Sequence, residues 1–141
     1  MPTTIEDRIA SLEAELARLR TGTIETRHVH LLDEVGRVRG VLGVTGGGPT
    51  LEFFDERGVS RAKLRVDPNG PGLTLADEQG HTRAWLGFTK ESLRIGFADE
   101  QGNSRAFFGV MKTSGPVVKF YDEAQQVVWS APEGTGDGCS S

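Results

Sequence analysis

The pair Asp-Glu recurs at Asp33-Glu34, Asp55-Glu56, Asp77-Glu78, Asp99-Glu100 and Asp122-Glu123, at intervals of 22, 22, 22 and 23 residues. A fixed period in the twenties means one supersecondary unit copied along the chain, each copy burying its faces against its neighbours. The residues around each Asp keep step with it. Four before it stand Val29, Leu51, Leu73, Ile95 and Val118, and two before it Leu31, Phe53, Leu75, Phe97 and Phe120. Seven, nine and eleven after it stand Gly40/Leu42/Val44, Ala62/Leu64/Val66, Ala84/Leu86/Phe88 and Ala106/Phe108/Val110. The apolar period is two on both sides of the Asp, the signature of strand, turn and strand. Each unit predicts a β-hairpin, and five of them predict about ten short strands. The fold class expected is therefore mainly β: a short helix followed by 22-residue hairpin repeats, as an antiparallel meander, a β-prism or an intertwined shaft.

The turn chemistry is legible in the same pattern. Asp33, Asp55, Asp77 and Asp99 open the turns, where a carboxylate can accept from the backbone N–H two residues on. Gly36, Gly58, Gly80 and Gly102 stand fourth, where positive φ is needed. A four-residue Asp-x-x-Gly loop brings all the repeating apolar side chains to one face, and a shift of one residue would split them. That register pairs Leu51 with Ala62, Leu73 with Ala84 and Ile95 with Ala106, and on the other face Glu52 with Arg61. The acidic pairs are thus turn residues rather than a Ca²⁺ array, since each loop offers only two carboxylates and the Asp is engaged by the turn.

The face opposite the repeating set carries Val41, Phe54, Trp85, Phe107 and Tyr121 among Glu52, Arg61, Lys63, Arg65 and Thr74. So many large apolar groups predict an interface between chains, with Phe54, Trp85 and Phe107 at its centre. The same aromatics could instead stack on a glycan or a partner protein. The last unit departs from the pattern, with Gln125 in place of the turn Gly, Val128 in place of the recurring Arg and Trp129 in place of the small residue. Such a copy reads as a terminal cap.

Ahead of the repeats, Ile5, Ile9, Leu12, Leu16 and Leu19 are spaced 4, 3, 4 and 3, a heptad seam with Ile9 and Leu16 at a and Ile5, Leu12 and Leu19 at d. Thr3 and Glu6 read as a capping box and Gly22 as the stop. The segments expected are an oligomerisation helix over 1–22, a repeat domain over 28–132 and a flexible tail over 133–141, whose Cys139 is a candidate tether. The stretch Arg8-Ile9-Ala10-Ser11-Leu12-Glu13 resembles a short trimerisation motif of coiled coils, Arg-apolar-x-x-apolar-Glu. By that resemblance Arg8 would pair with Glu13 of a neighbouring helix, and the chain would be a homotrimer.

His28-Val29-His30 places two imidazoles on one side of a strand. It resembles the His-x-His metal sites of phage tail-fibre tips, which would imply a transition metal held by histidines gathered from three chains. Head, repeats and tail together look like trimeric fibrous β-proteins of the phage or phage-like tail-fibre shaft type. That resemblance implies a structural or adhesion module, within a larger particle or as a scaffold subunit, rather than an enzyme. No Ser/His/Asp or Cys/His grouping suggests catalysis. A net charge of −4 gives no electrostatic footprint for nucleic acid. No apolar run is long enough for a membrane span, and no apolar leader precedes the helix, so synthesis in the cytoplasm is expected.

Overall fold

The computed structural model describes residues 4–22 and 24–132. One helix, α1 (Ile5–Arg20), precedes ten strands: β1 (His28–Leu32), β2 (Val38–Thr45), β3 (Gly48–Phe54), β4 (Ser60–Asp67), β5 (Gly70–Ala76), β6 (Thr82–Thr89), β7 (Ser92–Ala98), β8 (Ser104–Met111), β9 (Gly115–Tyr121) and β10 (Val127–Ala131). The strands form one antiparallel sheet in sequence order, a meander without crossovers. Among the described residues no strand packs against α1, and no second layer covers the sheet. Among the described residues there is no buried hydrophobic core. No described helix is long and apolar enough to cross a membrane.

The helix begins one residue later than the sequence suggests. Thr4 is the N-cap: its hydroxyl accepts from Asp7 N–H, and Asp7 returns a carboxylate to the Thr4 backbone. The capping box is thus Thr4/Asp7, not Thr3/Glu6, because Asp7 is short enough to close the box in that frame; Thr3 lies outside the described residues. At the other end Gly22, with φ +72, supplies the left-handed residue that ends the helix.

The turns follow the expected chemistry with a different length. At each one the Asp backbone N–H donates to the carbonyl four residues on, as Asp55 does to Val59, and the fourth residue donates back to the Asp carbonyl. In the first four turns the Asp Oδ1 accepts from the N–H groups two and four residues ahead, as from Arg57 (2.9 Å) and Val59 (3.0 Å), and Asp122 accepts from Gln126, four ahead. Gly36, Gly58, Gly80 and Gly102 all carry φ between +81 and +87, and Gln125 takes the same conformation at φ +62.

The loop therefore has five residues, not four, and a β-bulge follows it. Phe54 faces Ser60 and Phe53 faces Ala62, which leaves Arg61 as the extra residue. Arg39, Arg83 and Arg105 occupy the same bulged place, and Val128 takes it in the last unit. The expected pairs Leu51–Ala62 and Glu52–Arg61 are replaced by Leu51–Leu64 and Glu52–Lys63. Leu73 and Ile95 likewise face Leu86 and Phe108. Beyond the bulge the displacement is two residues, so the repeating apolar side chains stay on their expected face, while Ser60 moves to the face of Phe54 and Glu52.

Candidate functional site

The observed register builds continuous rows across the sheet. Val29, Leu42, Leu51, Leu64, Leu73, Leu86, Ile95, Phe108, Val118 and Ala131 face one another in turn from β1 to β10. The adjacent row on that face alternates large and small: Leu31, Gly40, Phe53, Ala62, Leu75, Ala84, Phe97, Ala106, Phe120 and Trp129. A third row adds Val44, Val66, Phe88 and Val110 with their partners Pro49, Pro71, Leu93 and Pro116. Edge-to-face contacts link Phe97 to Phe108 (6.3 Å) and Phe108 to Phe120 (6.1 Å), and Trp129 closes on Phe120 at 5.4 Å.

This whole face is open. Leu42 is 52 % exposed, Leu64 49 % and Phe97 44 %. With strands about 4.8 Å apart and three rows of side chains, the face measures roughly 43 by 20 Å, or ~860 Å². A standard protein interface buries about 800 Å² per partner. The seam of α1 is equally bare, with Ile5, Leu12 and Leu19 each more than 60 % exposed. Arg8 and Glu13 make no ion pair with any described residue.

The opposite face is polar and rich in glycine. Along one row stand His30, Val41, Glu52, Lys63, Thr74, Trp85, Gly96, Phe107, Lys119 and Ser130. Glu52 bonds Lys63 (3.2 Å) and accepts from the Ser60 hydroxyl (2.6 Å). The Trp85 ring lies over Gly96, in the space where a Cβ there would have to sit, and the Phe107 ring comes within 3.0 Å of a Cβ built on Gly109. Trp85, Phe107 and Phe54 are thus half-buried by their own sheet, and the larger exposed apolar area is the leucine face.

Along the edge carrying the Asp turns, the bulge arginines tie each hairpin to the next. The ladder between β2 and β3 ends at Gly40–Phe53, and the next carbonyl, Phe54, accepts from Arg39 Nε (3.1 Å). Arg61 serves Ala76 (3.0 Å) and Arg83 serves Ala98 (2.9 Å) in the same way. Each guanidinium also lies 3.5–3.6 Å from the Asp of its own turn. Arg105 breaks the series: its Nε lies 3.2 Å from Asp99, and its buried Nη1 has no partner. This latticework went unread in the sequence, although Arg at the same place in four units was its signal.

The surroundings hold the turn carboxyls low. Asp33 is lowered first by the Arg37 N–H, then by the Arg37 side chain and the Val35 N–H. Asp55 is lowered first by the Val59 N–H, with Arg57 and Arg61 adding to it. At Asp77 and Asp99 burial pulls upward as the largest single influence. Hydrogen bonds from His81 and Gln79, and from Asn103 and Gln101, together with Arg83 and Arg105, outweigh it and leave both carboxyls lowered.

His28 and His30 lie side by side on the polar face, with ring centroids 6.4 Å apart and both rings exposed. Among the described residues no three His, Cys, Asp or Glu side chains are placed to hold a metal ion together. Cys139 and the tail over 133–141 lie outside the described residues. No known family's sequence model matches the chain, and no curated protein matches it.

Proposed function

We propose that the chain is a non-enzymatic structural module that assembles as a homotrimer, its helices forming a short three-stranded coiled coil and its leucine faces turned inward to make a rigid shaft. The observation that carries this reading is the apolar face running unbroken over all ten strands with no other described element packed on it. Water is a poor solvent for such a patch, which exceeds the few hundred Å² that monomers ordinarily expose. The total surface agrees. The chain exposes 10915 Å², against about 7,100 Å² for a compact monomer of its 15.2 kDa.

Three chains rather than two follow from the resemblance of Arg8-Ile9-Ala10-Ser11-Leu12-Glu13 to a trimerisation motif. With the leucine rows inward, His28 and His30 face outward, so the proposal includes no metal on the axis. The resemblance to fibre shafts supports a place in a fibre or a larger particle.

Sedimentation equilibrium tests the assembly. The expected mass is three times 15.2 kDa, and Leu64→Glu with Leu86→Glu is expected to abolish it. A monomer at micromolar concentration overturns the proposal.

A further inference from the structure

On the polar face, Arg65, Gly72, Gly87 and Arg94 stand in one cross-strand row over β4, β5, β6 and β7. Two glycines between two arginines leave an open cleft of about 540 Å³. That volume lies within the roughly 300–1,000 Å³ of small-molecule sites. At three strand spacings the arginine Cα atoms are about 14 Å apart. A Cβ placed on Gly87 would meet nothing within 4 Å, so that half of the floor is bare backbone, while over Gly72 the Arg65 Nε lies 3.8 Å from where a Cβ would be. Thr74 and Trp85 form the inner wall. The Trp85 indole rests on Gly96, which stands two residues from Arg94 on the same face of β7. The ring thus rests on backbone, with Arg94 two residues along the same face of the strand beneath it.

The charges of the cleft are unequal. Arg65 is engaged by Asp67 at 2.9 Å, while Arg94 has no hydrogen bond or ion pair with any described residue. A flat aromatic platform, a shallow floor bare at Gly87, a hydroxyl and one free guanidinium fit a ring with an apolar face and a carboxylate. A bare inorganic anion would use Arg94 alone and leave the platform idle. An uncharged ring would leave Arg94 idle.

We propose that this cleft binds an acidic saccharide, a pyranoside whose carboxylate pairs with Arg94 while its apolar face stacks on Trp85. The site lies on the face away from the leucine rows and is complete within one chain, so it stands or falls apart from the proposed trimer.

Titration calorimetry on the full chain tests it, with trigalacturonate as the probe, galactotriose as its uncharged counterpart and inorganic sulfate as competitor. Trigalacturonate is expected to bind, and galactotriose at least about tenfold more weakly, the cost of losing one charge-assisted pair. Arg94→Gln should cause the same loss, and Arg27→Gln, elsewhere on the surface, none. Gly87→Val fills the floor with a residue that suits a strand, so it should abolish binding while the melting temperature stays level or rises. The proposal is overturned by no binding of trigalacturonate, by equal binding of galactotriose, by displacement with equimolar sulfate, or by binding that survives Gly87→Val.

Discussion

Replacing Arg83 by Met keeps most of the side chain's length and removes the guanidinium. The Ala98 carbonyl, which accepts from Arg83 Nε at 2.9 Å in a part-buried place, then has no donor. Leaving such a group unsatisfied costs about 1–3 kcal/mol. The accompanying ion pair to Asp77 is on the surface and adds little. Taking the middle of the range, Arg83→Met should cost about 2 kcal/mol. With a urea dependence of roughly 2 kcal/mol per molar, the unfolding midpoint then falls by about 1 M. Arg105→Met is the internal control. Arg105 occupies the same bulged position but satisfies no carbonyl, and its Nη1 is buried without a partner. Its replacement should move the midpoint by less than about 0.3 M. Arg83→Lys keeps the charge yet lacks the fork that reaches carbonyl and carboxylate together, so it should lose nearly as much as Met. Urea unfolding followed by circular dichroism reads all three, at one fixed protein concentration because assembly would add stability by mass action. Equal losses at Arg83 and Arg105 would refute the argument, since position in the bulge rather than the carbonyl bond would then be what matters.

The turn carboxyls set the acid limit. Asp33, Asp55, Asp77 and Asp99 have folded pKa values below 3.8, so their contribution is complete above that value and is lost as pH falls through the lowered ones. Urea midpoints should therefore be level from pH 7 to about 5 and drop below about 4, with a shallower drop in Asp55→Asn. Gly96→Ala forces a methyl into the Trp85 ring and should destabilise by about 1–3 kcal/mol, visible as a lower melting temperature. Gly87→Val, on the next strand, should not lower it.

Much of this fold is written in the period of two. Which residues share a face was legible from the positions around each Asp, because alternation fixes face by parity. Parity cannot count residues in a loop. A four-residue loop and a five-residue loop followed by a bulge differ by two in register, so both satisfy the pattern. The structure chooses the longer because the Asp carboxylate can then accept from the N–H groups two and four residues ahead. Everything that depends on true register stayed hidden for the same reason: Glu52 opposite Lys63, Trp85 opposite Gly96, and two glycines between Arg65 and Arg94. The helix and apolar stripe of α1 were legible outright, since their spacing needs no partner to be recognised.

The arginine ties also bear on why the apolar face stays open within one chain. A meander can hide that face by curling into a closed barrel or by breaking into two sheets that fold together, and either needs the junctions between neighbouring hairpins to bend. Arg39, Arg61 and Arg83 clamp three of the four junctions, at β2/β3, β4/β5 and β6/β7. The fourth, β8/β9, lacks the arginine-to-carbonyl bond; there the Gln125 amide donates to the Ser104 carbonyl (3.1 Å), Arg105 lies 3.9 Å from Glu123, and Phe108 meets Phe120 on the apolar face. Both ends of the sheet carry one terminal hairpin, so ordinary fraying treats them alike. The missing clamp does not. Phe120→Leu should therefore lower hydrogen-exchange protection across β9 and β10 much more than Phe53→Leu lowers it across β1 and β2, where Arg39 still holds the junction. Equal loss of protection at the two ends would mean that side-chain packing alone joins the hairpins, and that the arginines only decorate the edge.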